Sequence, residues 1–193
     1  MLDTFKTSIV DQYEAALSML KACVDRCPDT VWNGPVANYR FWQVVFHTLF
    51  FTDLYLGPDK ESFRRQPFHL HHAAFFADYD ADYEPFEDPA PRRLYDKASL
   101  LIYLEFCRRK VTEAISAETV ETLSAPDGFG NPAFSRAELH LYSIRHIQHH
   151  AAQLSLRLRL DANEGILWVG SGWRETAFAE RPSNEESQAK VVR

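Results

Sequence analysis

The chain has 193 residues, a formal net charge of −6, 46% hydrophobic residues and 13% aromatic residues. This length predicts one domain, over residues 1–180, that buries a substantial core and is followed by a polar tail at residues 181–193. The apolar content excludes general disorder. The negative charge, without a basic stripe, argues against nucleic acid as a partner.

The sequence also argues against a membrane partner. Its N-terminus lacks the basic-then-apolar layout of a signal peptide, and no uncharged apolar stretch reaches the roughly 18 residues that a membrane span needs. We therefore expect a cytoplasmic protein. Only 7 glycines, together with apolar runs of helical length, favour an all-α fold.

The first predicted helix runs from Asp3 or Thr4, either of which can cap it, to Cys27, where Pro28 ends it. Its apolar residues recur at steps of three and four, which is typical of one buried face. These residues are Ile9, Tyr13, Ala16, Leu17, Leu20 and Val24. A second helix is predicted at about residues 38–56. Because it is apolar almost all round, we expect it to lie inside the fold.

Residues 58–92 form a long connection with five prolines, many aromatic residues and a run of acids at residues 78–88. A connection of this length in a compact domain is usually functional or wraps the core. We expect it to pack against the helices, with a short helix near residues 71–76. Its histidines, His69, His71 and His72, are interpreted as an incidental surface cluster, with a lid over the functional site as the alternative.

A third helix is predicted at residues 93–117 and a turn-rich link at residues 118–134. Ser135 then caps a fourth helix, and Glu138 completes a capping box. This helix continues to about Asp161, and the apolar segment that follows, including Trp168 and Trp173, should dock on the helices. Four long helices with a long crossover between the second and third predict a four-helix bundle.

The three cysteines, Cys23, Cys27 and Cys107, lack C-x-x-C spacing. A disulfide between Cys23 and Cys27 would be strained, because side chains four apart on one helix run roughly parallel. We interpret all three as small reduced core residues. A thiolate metal site is the alternative interpretation.

The fourth helix carries the most informative pattern, because His146 and His150 are four residues apart and project side by side. Both lie at the edge of its apolar stripe, so both could face a cavity between helices. His149 falls opposite the stripe, where we expect solvent or a partner chain. His140 projects with the stripe, where a hydrogen-bonded buried histidine is the ordinary explanation.

The best third ligand is His47, in the middle of the apolar second helix. A lone histidine on such a face is usually a hydrogen-bonded core residue, and the independent pair on another helix favours a metal site here. Imidazole suits zinc, nickel, iron or copper. Three imidazoles with one or two waters form an open site, in which the metal can activate water or bind a substrate atom.

Several other known metal-binding and catalytic motifs are not present in this sequence. No glutamate has a histidine three residues on, as di-iron bundles require, and H-E-x-x-H, G-x-S-x-G and the P-loop are absent. The acids from Asp78 to Glu84 resemble a calcium loop. The required glycine and glutamate positions hold Tyr83 and Pro89, which excludes it.

His47 in an apolar second helix, followed by His146-x-x-x-His150-x-x-Gln153 in the fourth, resembles the DinB/YfiT-like superfamily of metal-binding bundles. The resemblance covers about residues 1–161, and it departs at Ala152, where many relatives carry glycine. It implies a four-helix bundle with His47, His146 and His150 as ligands of a divalent metal, often in a homodimer. Zinc or nickel is the first expectation for the metal, and iron or manganese the next.

Characterised members of that superfamily include transferases and an isomerase that use low-molecular-weight thiols. The first hypothesis is therefore a metal-dependent thiol transferase, with Gln153 orienting a ligand or substrate and Arg40 or Arg145 meeting a substrate carboxylate. The second is a non-catalytic, stress-associated metal-binding protein. The absence of an obvious carboxylate or tyrosine as general acid or base in the motif favours the second slightly. A third is an interaction module with histidines packed inside.

Overall fold

The computed structural model describes residues 1–64, 66, 94–130 and 134–177. This part of the chain is mostly helical with a single two-stranded sheet, which confirms the all-α class. The elements in chain order are α1 (Leu2–Arg26), α2 (Asp29–Trp32), β1 (Pro35–Val36), β2 (Tyr39–Arg40), α3 (Phe41–Tyr55), α4 (Lys97–Ala117), α5 (Val120–Ser124) and α6 (Arg136–Ala162).

The four long helices form the core. The most extensive helix contacts join α1 with α6 and α4, and α3 with α6 and α4. Apolar side chains from all four helices fill the space between them. The largest fully buried ones include Tyr13 of α1, Phe41, Phe46 and Phe50 of α3 and Tyr103 of α4.

The central helix α3 is buried along its length, as its sequence predicts. Every residue from Phe41 to Leu54 is buried. Its predicted start near residue 38 is wrong, because Tyr39 and Arg40 pair antiparallel with β1 in a short hairpin that turns at Ala37, which has a φ of 51°. The hairpin leaves Phe41 as the first helical residue, and the side chain of Gln43 accepts a hydrogen bond from the backbone N–H of Arg40 (2.7 Å).

Side-chain caps set the starts of two other helices. Asp96 accepts a hydrogen bond from the backbone N–H of Ser99 (2.7 Å), so α4 begins at Lys97 and the predicted start at residue 93 is wrong. Ser135 and Glu138 form the predicted capping box at the start of α6. That helix ends at Ala162, one residue beyond the prediction, where Asn163 adopts a left-handed conformation with a φ of 53°.

Two other predictions about the elements need correction. Helix α1 begins at Leu2 and ends at Arg26, so Asp3 and Thr4 lie inside it and make no cap. The link before α6 is not wholly irregular, because it contains α5, which Thr119 caps through the N–H of Thr122. The predicted helix near residues 71–76, the acidic run, the histidines at 69–72 and the tail from residue 178 onward lie outside the described residues.

The segment after α6 docks only in part. Ile166 and Val169 are buried, whereas Trp168 is 70% exposed. Trp173 lies under the guanidinium of Arg108, whose central carbon is 4.0 Å from the ring centroid. The patch therefore contacts the helices through Ile166 and Val169 and leaves the Trp168 ring in solvent.

The three cysteines are buried and reduced, as predicted. In the part of the chain that the structure describes, no helix is long and apolar enough to cross a membrane.

A buried polar network joins the start of α6 to the ends of α3 and α4. Arg136 donates hydrogen bonds to the carbonyl oxygens of Tyr55 (2.9 Å), Leu56 (3.2 Å) and Gly57 (2.7 Å), and its Nε donates to Glu118 (2.9 Å). The last carbonyls of a helix otherwise lack partners. Arg136 therefore holds the first turn of α6 against the last turn of α3, the two helices that carry the candidate metal ligands.

Candidate metal centre

The structure brings the three predicted ligands together between α3 and α6. His47 is fully buried in the middle of α3, and His150 is 8% exposed on α6. His146, one helical turn before His150, is half-buried and is the most exposed of the three. We call these three residues the histidine triad. Its members come from two helices that pack directly against each other.

The triad converges through its Nε2 atoms. His146 Nε2 lies 3.0 Å from His47 Nε2 and 3.1 Å from His150 Nε2. The potential ligand atoms of all three side chains lie within 4.8 Å of one another. With metal–nitrogen bonds of about 2.1 Å, two ligand nitrogens stand about 3.0 Å apart at right angles and about 3.4 Å apart in a tetrahedron. The two distances from His146 Nε2, 3.0 and 3.1 Å, therefore fit neighbouring ligands of one ion.

The other nitrogen of His150 fixes its tautomer. His150 Nδ1 donates to the side-chain oxygen of Gln153 (2.9 Å), and the Gln153 amide donates to His149 Nε2 (3.1 Å). Because the proton of the neutral imidazole is on Nδ1, its Nε2 presents a lone pair to the triad. A hydrogen bond of this kind usually orients histidine ligands of metals.

Hydrogen bonding alone does not satisfy His146. With a proton on Nε2, His146 donates toward His47 or His150 but accepts from neither. With the proton on Nδ1, its Nε2 and that of His150 face each other as lone pairs, and the buried Nδ1–H has no partner among the described residues. A cation at the point of convergence would accept the lone pairs of all three rings. The donor set thus fits a metal better than a hydrogen-bonded core.

Burial keeps the triad uncharged. Burial, followed by the charges of His146 and His150, lowers the pKa of His47 well below its usual range. Burial lowers the pKa of His146 to about 3 and that of His150 to about 4. For His150, the hydrogen bond to Gln153 opposes this shift by raising the pKa. The imidazoles are therefore neutral near pH 7, the protonation state that metal binding requires.

Aromatic rings flank the triad on one side. Phe51 contacts both His47 and His146, with ring centroids 4.8 and 5.6 Å apart. Tyr142 lies nearly parallel to His146, with centroids 6.3 Å apart and an interplanar angle of 17°. Tyr142 was missed at the sequence level, although it stands four residues before His146 and continues the spacing that singled out His150.

The remaining histidines of α6 behave as predicted. His149 is exposed, although the Gln153 amide ties it to the triad. His140 is fully buried, and each of its ring nitrogens has a partner: Nδ1 lies 3.3 Å from the Tyr13 hydroxyl and Nε2 lies 3.1 Å from Glu118. It is therefore a satisfied structural histidine.

The two candidate arginines stand apart from the triad. Arg145 is exposed on α6. Arg40 is exposed beyond the N-terminus of α3, two turns before His47, and donates to the carbonyl of Asn33 (3.3 Å). The structure brings neither guanidinium to the three imidazoles.

A separate cavity of about 550 Å³ lies between the end of α3, the segment that follows it and α4. Its floor holds the buried Asp53, which accepts hydrogen bonds from Lys110 Nζ (2.5 Å) and the Tyr103 hydroxyl (3.1 Å). Burial raises the pKa of Asp53, and Lys110 opposes that shift. None of the triad histidines lines this cavity, so it is distinct from the candidate metal centre.

Comparison of this chain with protein-family models, with curated proteins and with solved structures finds no match. The function therefore has to be inferred from the site itself.

Proposed function

We propose that the protein binds a divalent metal ion through His47, His146 and His150. The convergence of three neutral Nε2 atoms at 3.0 and 3.1 Å is the observation that carries this proposal. The choice of zinc or nickel rests on the preference of imidazole for these ions. We also propose that the chain forms a DinB/YfiT-like four-helix bundle and a homodimer. Two observations support the bundle. The first is the triad pattern, and the second is that each of the four long helices packs against two others.

The proposed activity is metal-dependent transfer that uses a low-molecular-weight thiol. When bound, a divalent ion supplies Lewis acidity that lowers the pKa of a coordinated thiol or water. Only three protein ligands converge among the described residues, and His146 is only half-buried, so a small ligand can approach. Gln153 holds His150 in the ligand tautomer, and the buried positions of His47 and His150 keep water from most of the site.

Elemental analysis of protein purified without a histidine tag tests metal binding. We expect close to one metal ion per chain in the wild type and loss of that ion in His47→Ala and His150→Ala. His149→Ala is the matched control, because it removes an exposed histidine from the same helix turn, and it should keep the metal. A wild type that takes up no metal even after reconstitution would refute the proposal.

Catalysis is tested separately with the metal-loaded protein. We expect conjugation of a small thiol to an electrophile at a rate that disappears in His47→Ala. Metal binding without such conjugation would favour the alternative, a non-catalytic stress-associated metal protein.

A further inference from the structure

We propose that the histidine triad accepts ligands that carry a planar apolar group, such as an aromatic ring, next to their metal-binding atoms. The inference rests on the proposed metal-binding function and specifies the kind of ligand. It is carried by four aromatic residues beside the triad, which we call the aromatic wall: Tyr55, Phe129, Phe134 and Tyr142.

The aromatic wall is continuous across three parts of the fold. Tyr55 of α3 contacts Phe129 of the link and Tyr142 of α6, with ring centroids 5.3 and 5.8 Å apart. Phe134, at the end of the link, contacts Tyr142 at 5.6 Å. Such separations are typical of favourable ring contacts. The wall is therefore a packed surface and not a set of isolated rings.

The wall adjoins the most accessible member of the triad. Tyr142 lies nearly parallel to His146 at 6.3 Å, and Phe51 connects His146 with Tyr55 through centroid distances of 5.6 and 5.4 Å. A ligand that approaches the triad along the Tyr142 side of His146 comes close to these rings. A ring directly attached to its metal-binding group would then lie against the wall.

The rings retain surface for such a contact. Tyr142 is 37% exposed, and the other three residues of the wall are half-buried. The opposite side of the triad is polar, because the Gln153 amide and the His149 imidazole are exposed there. The site thus has one apolar and one polar flank, which would orient a ligand with its planar group toward Tyr142 and its polar groups toward Gln153.

A purely structural role is the alternative, in which the rings only hold the link against α3 and α6. That role predicts a loss of stability when Tyr142 is truncated, without any change in ligand preference. The two roles can therefore be separated by measuring preference within one variant.

The test is calorimetric titration of the zinc-loaded, tag-free protein with acetohydroxamic acid and benzohydroxamic acid. The two probes share their metal-binding group, and a phenyl ring in one replaces a methyl group in the other. We expect the wild type to bind the phenyl probe about tenfold more tightly. Tyr142→Ala should reduce this preference to about twofold or less and leave the affinity for acetohydroxamic acid nearly unchanged.

Two control variants test whether the Tyr142 ring causes the preference for the phenyl probe. Tyr142→Phe keeps the ring and should keep the preference. Leu141→Ala removes a neighbouring side chain that is 49% exposed on α6, and it should also keep the preference. If Tyr142→Ala does not fold, Tyr142→Leu removes the planar ring while retaining apolar volume.

The outcomes distinguish this inference from the metal site itself. A protein that takes up neither zinc nor nickel contradicts the proposed function, and a protein that takes up only nickel is titrated in its nickel-loaded form. A zinc-loaded protein that binds both probes equally, binds neither, or keeps its preference in Tyr142→Ala overturns the ligand inference and leaves the metal site standing.

Discussion

Helix α6 takes part in two buried histidine clusters that differ in how their polar atoms are satisfied. One is the His140 network, in which His140 lies between Tyr13 and Glu118 and Arg136 pairs with the same carboxylate. The other is the histidine triad, whose Nε2 atoms face one another. Both have strongly lowered histidine pKa values because both are buried.

The difference lies in the partners. The His140 network joins donors to acceptors and is complete without a ligand. The triad brings three imidazole Nε2 atoms together, and hydrogen bonds among them leave the buried Nδ1 of His146 without a partner among the described residues, whereas a cation could bind all three Nε2 lone pairs. Burial and lowered pKa therefore do not by themselves indicate a functional histidine; the chemistry of the neighbouring atoms does.

The largest expected effect comes from breaking the His140 network. Arg136→Ala leaves the Glu118 carboxylate and three helix-terminal carbonyls without their cation, so it should lower the free energy of unfolding by about 3–5 kcal/mol. Urea unfolding measures this loss. Arg145→Ala, an exposed arginine on the same helix, is the control and should stay within about 0.5 kcal/mol of the wild type.

Zinc binding to the triad should stabilise the folded protein almost as much as Arg136 does. Free zinc at about a thousand times its Kd should raise the free energy of unfolding by about 4 kcal/mol, because the ion binds the folded state. His47→Ala should show little of this gain. Equal stabilisation of both proteins would place the bound zinc elsewhere.

The pH dependence of stability should test the contribution of His140 directly. Burial, followed by Arg136, lowers the pKa of His140 to about 4 against the raising effect of Glu118, whereas the unfolded value is about 6.5. Between these values the unfolded chain binds the proton more readily, so stability falls as pH falls through this window.

Replacement of His140 tests this assignment. His140→Gln should flatten the decline in unfolding free energy between pH 7 and pH 5, by up to about 2 kcal/mol relative to the wild type. Unfolding curves at several pH values, recorded without metal, provide the measurement. Because His146 and His150 also have lowered pKa values, part of the decline should remain, and a slope equal to that of the wild type would show that His140 does not contribute to it.

A smaller effect is expected at Gln153. Gln153→Ala removes the acceptor that holds the proton on His150 Nδ1, so zinc affinity should fall about 10- to 100-fold while the three ligands remain. Competition with a chelator measures the change. An affinity equal to that of the wild type would mean that the tautomer is set in another way.

The smallest effect is expected within the metal-free triad. His146→Leu should change the free energy of unfolding by less than about 1 kcal/mol, because its Nδ1 has no partner among the described residues. His140→Leu, which removes the His140 partner of the Tyr13 hydroxyl and one of the partners of Glu118, should cost clearly more. Similar losses in the two variants would remove the distinction between the clusters.

The sequence predicted these features where they depend on local chemistry. The capping box at Ser135, the buried character of α3 and the side-by-side projection of His146 and His150 all follow from residues a few positions apart. The pairing of His47 with that helix was a hypothesis from two separate patterns, and the structure supplies the packing that joins them. Their role as metal ligands stays a prediction.

The features that were missed depend on less regular interactions. A two-residue turn at Ala37 shortens α3, and Asp96 starts α4 later than the apolar pattern predicts. Trp168 is exposed because its segment contacts the helices through Ile166 and Val169. The aromatic wall depends on Phe129 and Phe134 in an irregular link, whose position no periodicity can predict.

The two halves of the triad are far apart along the chain, because His146 follows His47 by 99 positions. The pair on α6 can form as soon as that helix does, but the third ligand arrives only after a long closure of the chain. High-affinity metal binding would therefore report that α3 and α6 have docked. If a metal with a spectroscopic signature is added during refolding, its signal would show when the tertiary fold is complete, independently of helix formation.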